Sequence, residues 1–202
     1  MLLPTPLAQD EALRALAEIR AAVDRSARYS TFSALSGFIA GGAAFVGSGV
    51  CGAHPGFAGA QPAAGWPFVA VWSGVLAVTA LALAVLTAMK ARRRGEAVWT
   101  PIARTAFAAL LGPGMAGLAS SAALALTGRF EMLPGLWLVL YGCGLWAVSF
   151  FAPLFLRVLG VAFMILGLCA WSKMDCAALW LGLGFGGLHV LFGAVVLARY
   201  HK

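Results

Sequence analysis

Six apolar runs of about 20 residues recur along this 202-residue chain, and no other feature limits its folding so tightly. Such a run crosses the roughly 30 Å hydrocarbon core of a bilayer as a helix. Within that core each backbone N–H and C=O must be satisfied inside the protein, so only helices and closed barrels span it. Outer-membrane strands would alternate in polarity over segments of about ten residues, and the sequence has no such pattern. The expected fold is all-α: a polytopic membrane protein with six transmembrane helices preceded by a cytoplasmic amphipathic helix. The spans are read at about 32–52, 67–89, 102–127, 133–151, 154–171 and 176–198, after an N-terminal segment 1–31 and before a tail 199–202.

Composition agrees. Charged residues make up 10% of the chain, where soluble domains carry about a quarter. The net charge of +7 does not indicate nucleic acid, because the basic residues lie at the ends of the apolar runs. With the N-terminus inside, the inner set is Arg14, Arg20, Arg25, Arg28, Lys90, Arg92, Arg93, Arg94, Arg104, Arg157, Arg199 and Lys202, and the outer set is Arg129 and Lys173. That asymmetry, strongest at Lys90–Arg94, implies that both termini are cytoplasmic, and a cell inner (plasma) membrane is the expected location. Trp66, Trp99, Trp137, Trp171 and Trp180 fall near span ends, as interfacial aromatics do.

The first residues lack the basic region and apolar core of a signal peptide. Thr5-Pro6 reads as a helix start. Leu13, Leu16, Ile19 and Val23 form one apolar stripe at helical spacing, able to pack on the spans, lie on headgroups or bind a cytosolic protein partner. In the first span, small residues recur every fourth position (Ser36, Ala40, Ala44, Ser48, Gly52), beside a second row of Ser33, Gly37 and Gly41. Such rows let helices approach closely in lipid, whether the partner is another span or the first span of a second copy in a homo-oligomer.

One ionisable residue, His189, lies deep in a span, within Gly184-Phe185-Gly186-Gly187-Leu188-His189. An intramembrane ionisable group is a functional-site hypothesis by default. It sits about 20 Å into the sixth span, and Pro113 lies about 16 Å into the third, so both are near the midplane. Proline removes a backbone donor, so a kink is expected at Gly112-Pro113-Gly114. Leu111-Gly112-x-Gly114 echoes Leu183-Gly184-x-Gly186, and Pro67 with Gly74-Val75 echoes Pro153 with Gly160-Val161. These pairings relate spans three and six, and two and five, as an inverted three-plus-three repeat would, the arrangement of several transporters. A competing echo, Leu136-Trp137-Leu138 with Leu179-Trp180-Leu181, relates spans four and six. The plainer reading of these glycines is helix packing around a structural kink.

A haem ligand would want a second histidine, and His54 and His201 are read at opposite surfaces. A proton relay would want a carboxylate at depth, and Asp and Glu fall at surfaces or in the N-terminal segment. The simplest expectation is a neutral His189 bonded to Tyr141, Ser120, Ser121 or Ser149. Cys51, Cys143, Cys169 and Cys176 lack Cys-x-x-Cys spacing, so no metal site is expected; pairing among the outer three stays open. No cofactor is predicted, and no nucleophile–base pair, phosphate loop or paired carboxylate points to an enzyme.

The motifs Ile19-Arg20, Asp24-Arg25-Ser26-x-Arg28-Tyr29, Ser33-x-x-Ser36-Gly37, Pro101, Leu136-Trp137-x-x-x-Tyr141-Gly142, Arg157-x-x-Gly160 and Gly184-Phe185-Gly186-Gly187-x-His189-x-x-x-Gly193 run in order through the chain. Together they make it resemble a group of bacterial six-span membrane proteins of about this length, to which no activity is assigned. Members look like neighbours of small winged-helix regulators, which implies a regulated membrane function. Phe192 stands where the resemblance implies tyrosine. Three functions follow as expectations: a non-enzymatic regulatory or interaction protein; a small transporter or channel with a midplane site near Pro113, Tyr141 and His189; or a haem- or quinone-linked redox protein.

Overall fold

A computed structural model describes residues 11, 13–18, 34–53, 62–95, 97–150 and 152–200. Ser33 of the first-span row lies outside the described residues, as do Ile19, Val23, His54 and His201. The chain divides into two units, 1–31 and 32–202. In the first, residues 13–18 are helical, with Leu13 and Leu16 exposed.

The second unit is a bundle of apolar helices: α1 (Ala34–Ala53), α2 (Pro62–Arg94), α3 (Pro101–Leu126), α4 (Leu133–Val148), α5 (Phe155–Ser172) and a sixth composite span. That span joins α6 (Ala177–Leu181) and α7 (His189–Tyr200) through a π-helical turn, Gly182–Leu188. Six of its helical stretches are long and apolar enough to cross a membrane, and no strand occurs among the described residues. The protein is a polytopic, all-α chain.

Local chemistry fixes the ends of α3. Pro101 supplies the fixed backbone angle of a first helical position, and the Thr100 hydroxyl accepts from the Ala103 N–H at 3.2 Å. At its other end Gly128 takes φ +71, the left-handed conformation a glycine adopts without strain. The Gly128 N–H then donates to Ala125 O (3.1 Å) and the Arg129 N–H to Leu124 O (2.8 Å), a Schellman stop that turns the chain into α4. Pro113 lies inside α3, where a kink is expected, and the helical assignment runs unbroken through it.

Helix α1 packs against α2 and the sixth span; α4 packs against α5 and α3. The third helix of each three-span half therefore crosses to the first helix of the other half. Spans two and three flank this core and are mostly exposed, although Phe68 and Trp72 of span two reach into it. Their leucines and valines, such as Leu76, Leu81 and Leu118, face outward, as a lipid-facing surface would.

Glycine sets the inner contacts. On α4 and α5, Gly142 faces Gly160 and Gly135 faces Gly167: a Cβ at Gly142 would lie 2.6 Å from Gly160 O, and one at Gly167 would lie 2.8 Å from Gly135 O. On α1 the buried residues are Ala34, Gly37, Ala40, Gly41, Ala44, Gly47 and Cys51. This face includes Gly37, Ala40, Gly41 and Ala44 of the expected rows but leaves Gly52 exposed and Ser36 half-buried. The reason is geometric. Four residues overshoot one 3.6-residue turn, so a strict every-fourth row drifts around the helix, while alternating steps of three and four keep one face toward a partner. Within the chain this face is occupied by the sixth span and α2, through Gly37 and Gly41 on the former and Gly47 on Val75 of the latter.

Three other expected glycines meet no neighbouring span within the chain. Gly112, Gly114 and Gly187 would each have open space around an added Cβ. Gly112 and Gly114 point away from the bundle on a helix that touches its core along one side only. All four cysteines are free, Cys51 buried and Cys176 exposed.

Candidate functional site

The site is built on the π-helical turn. Three of its glycines are buried: Gly182 against Ser48, Gly184 against Leu138 and Gly186 against Phe45. A side chain at any of them would strike a neighbouring helix, so the glycines permit α1 and α4 to close on this segment. From the α1 side, a Cβ at Gly37 would meet His189 O at 2.8 Å, and one at Gly41 would meet Gly186 O at 2.9 Å. Ser48 adds a polar clasp by donating to Ala178 O.

The π turn shifts the backbone register, and His189 uses the shift. Its backbone N–H donates to Gly186 O, while its ring Nδ1 lies 2.9 Å from Phe185 O. A carbonyl oxygen only accepts, so Nδ1 carries the hydrogen. In the neutral ring Nε2 is then an acceptor, and the Tyr141 hydroxyl, 2.8 Å away, donates to it. Tyr141 on α4 and His189 on the sixth span are thus joined across the bundle by one oriented chain: Tyr141 O–H to Nε2, Nδ1–H to Phe185 O.

Of the partners considered from sequence, Tyr141 is the one found. Ser121 instead accepts from Trp137 Nε1 at 2.8 Å. Ser149 is 4% exposed and engaged near the other end of α4. Pro113 lies against Gly144 of α4. Phe192, where tyrosine was implied, is buried and pairs with Phe155 at 5.5 Å.

Aromatic rings surround the pair. Phe163 of α5 contacts Tyr141 (4.8 Å), His189 (5.5 Å) and Phe185 (5.4 Å) in edge or tilted geometry. Phe185 continues to Trp72 of α2 at 6.2 Å, and Trp72 to Phe68 at 6.4 Å, which stacks on Trp137 at 5.9 Å. Trp72 is 5% exposed, and its indole N–H finds no oxygen or nitrogen acceptor, lying instead against the Cys51 thiol. Sequence reading missed Phe163 as a neighbour of His189, and Trp72 and Phe68 as the continuation of its ring cluster, because aromatics in uniformly apolar spans carry no positional signal. Chemically, the site offers an imidazole and a phenol bonded to each other within a cluster of rings, with the phenol oxygen keeping acceptor capacity.

No family model matches the chain, nor does any curated protein or solved structure in the comparisons made.

Proposed function

We propose that the protein is a small transporter or channel of a cell inner membrane, with both termini cytoplasmic and a midplane site at Tyr141 and His189. The observation that carries this reading is the exchange of third helices between the halves. Spans one, two and six associate as spans four, five and three do. Both exchanged helices carry an irregular feature, Pro113 inside an unbroken α3 and the π turn in the sixth span, and span two holds an internal proline as well, Pro67 near its start. Broken or weakened helices in corresponding positions of two inverted halves mark the binding region of many transporters, and π turns recur at functional sites. This correspondence favours the three-plus-three echo over the competing match of spans four and six.

The test is a melting series of the purified protein against ions, metabolites and lipids. A ligand at about 100 times its Kd stabilises by about 2.7 kcal/mol, so a genuine solute raises the melting midpoint. The shift is expected to vanish in Tyr141→Phe and His189→Leu, each first shown to be folded. Absence of any shift across the panel for wild type, or an undiminished shift in both variants, removes the reading.

A regulatory or interaction role is the second reading, supported by Leu13 and Leu16, 59% and 60% exposed on their helix. Serine at Leu13, Leu16 and Ile19 is then expected to abolish cross-linking to a cytosolic protein in intact cells, with all six spans still inserted. Cross-linking that survives the triple change would count against it.

A further inference from the structure

Arg157 lies in the first turn of α5, near the end of the bundle that carries most of the basic residues. Nothing in that turn suits a cation. The start of a helix carries positive partial charge, which favours anions there and disfavours arginine. The turn has no acidic residue, and Leu154 before it offers no side-chain cap. The ion pair found among the described residues, Arg129–Glu131, involves other groups.

The guanidinium nevertheless has three close neighbours. Its Nε donates to Ser149 Oγ at 3.3 Å. Ser149 is 4% exposed, and its hydroxyl hydrogen is committed to Trp146 O at 2.6 Å, so the oxygen facing Arg157 cannot swing away. The guanidinium carbon lies 5.3 Å from the centre of the Trp146 ring and 4.9 Å from that of Phe150, both within cation–π range. Of the guanidinium N–H donors, these contacts use Nε. The paired Nη groups have no protein acceptor among the described residues. An oriented fork of N–H donors matches two oxygens of a phosphate. Phe150 and Leu154, 64% and 67% exposed, provide apolar surface beside the fork.

We propose that Arg157, oriented by Ser149, Trp146 and Phe150, binds the phosphate of a membrane phospholipid, whose acyl chain lies along Phe150 and Leu154. The anion offsets the guanidinium charge, which has no acidic partner among the described residues; the first-turn N–H groups of Leu156 and Arg157 are already bonded to Pro153 O and Leu154 O. The apolar flank separates this site from one built for a soluble phosphate, which would not need it.

Native mass spectrometry of the full chain from mild detergent tests the proposal, with three probes added separately: phosphatidylglycerol, a diacylglycerol of the same chains, and inorganic phosphate. Wild type is expected to bind phosphatidylglycerol about tenfold more tightly than diacylglycerol, the scale of a charge-assisted hydrogen bond. R157Q is expected to lose the preference, and S149A to weaken it several-fold, since Nε is then unheld. R157K keeps the charge without the fork and should fall between wild type and R157Q. Equal binding of the two lipids by wild type overturns the proposal, a result that stands even if R157Q does not fold. An unchanged preference in folded R157Q overturns it as well. Inorganic phosphate binding as tightly as the lipid, and lost in R157Q, would reassign the fork to a soluble anion and overturn the lipid assignment.

Discussion

Valine at Gly160 is expected to destabilise the bundle by about 3 kcal/mol, the upper part of the usual range for an overpacked site. A Cβ at Gly160 would sit 2.8 Å from Gly142 O, 3.0 Å from Trp146 N and 3.3 Å from Leu145 Cβ. Two of these three are backbone atoms of α4, which have no rotamer to change, so the helices must separate. Separation loses the dispersion contacts that drive association in lipid, where apolar burial supplies no comparable force. Gly142→Val should behave similarly, with Gly160 O at 2.6 Å and Met164 N at 2.9 Å from the added carbon. The double variant should lose less than the sum, because one displacement relieves both clashes. Alanine at Gly112 or Gly114 is the control. With open space at both positions, the change should be neutral or stabilise by up to about 1 kcal/mol through helix propensity. Thermal melts in one detergent, followed by tryptophan fluorescence, rank these variants. Equal losses at Gly160 and Gly112 would mean that α4 and α5 do not meet as described.

This contrast shows what the sequence could and could not convey. The six spans were legible because bilayer thickness dictates a length of apolar chain, and the observed helices fall on the expected runs. The orientation of each span was less legible. The spans are apolar on every side, so no amphipathic face points to the interior. What decides the buried side is where backbone can approach backbone, and a glycine reveals that only once its partner is known. Gly112 and Gly142 look alike in sequence; one faces outward and the other touches the backbone of α5. In α1 the every-fourth row of small residues pointed near the buried face but not onto it, since the helix keeps contact through alternating steps of three and four. Tyr141 could be named among four candidates for His189 because polar side chains at depth are few. The π turn could not, because a run of glycines in an apolar span carries no mark of a shifted backbone register.

Leucine at His189 is expected to cost about 2–3 kcal/mol, more than the roughly 1 kcal/mol expected for Tyr141→Phe. The difference follows from which groups lose partners. Tyr141→Phe removes one donor and leaves Nε2 without its bond, while the Nδ1–H to Phe185 O contact survives. His189→Leu strips both: the Tyr141 hydroxyl loses its acceptor, and Phe185 O loses the side-chain donor in a segment where water is scarce. An unsatisfied polar group there carries a desolvation penalty, and the π turn loses the bond that follows from its shifted register. The turn is then expected to relax toward an α-helical register, which would rotate Gly182–Gly186 relative to Ser48 and Phe45. His189→Gln can present an amide donor and acceptor from a side chain of similar reach, and should recover part of the loss where leucine does not. In a double-mutant cycle, Tyr141→Phe on the His189→Leu background should cost close to nothing, because its partner is already gone. The cycle is read from melts, and hydrogen exchange at residues 182–190 should rise in His189→Leu more than in Tyr141→Phe. Additive losses across the cycle would show that the two side chains act separately, and the oriented chain from Tyr141 through His189 to Phe185 would have to be abandoned.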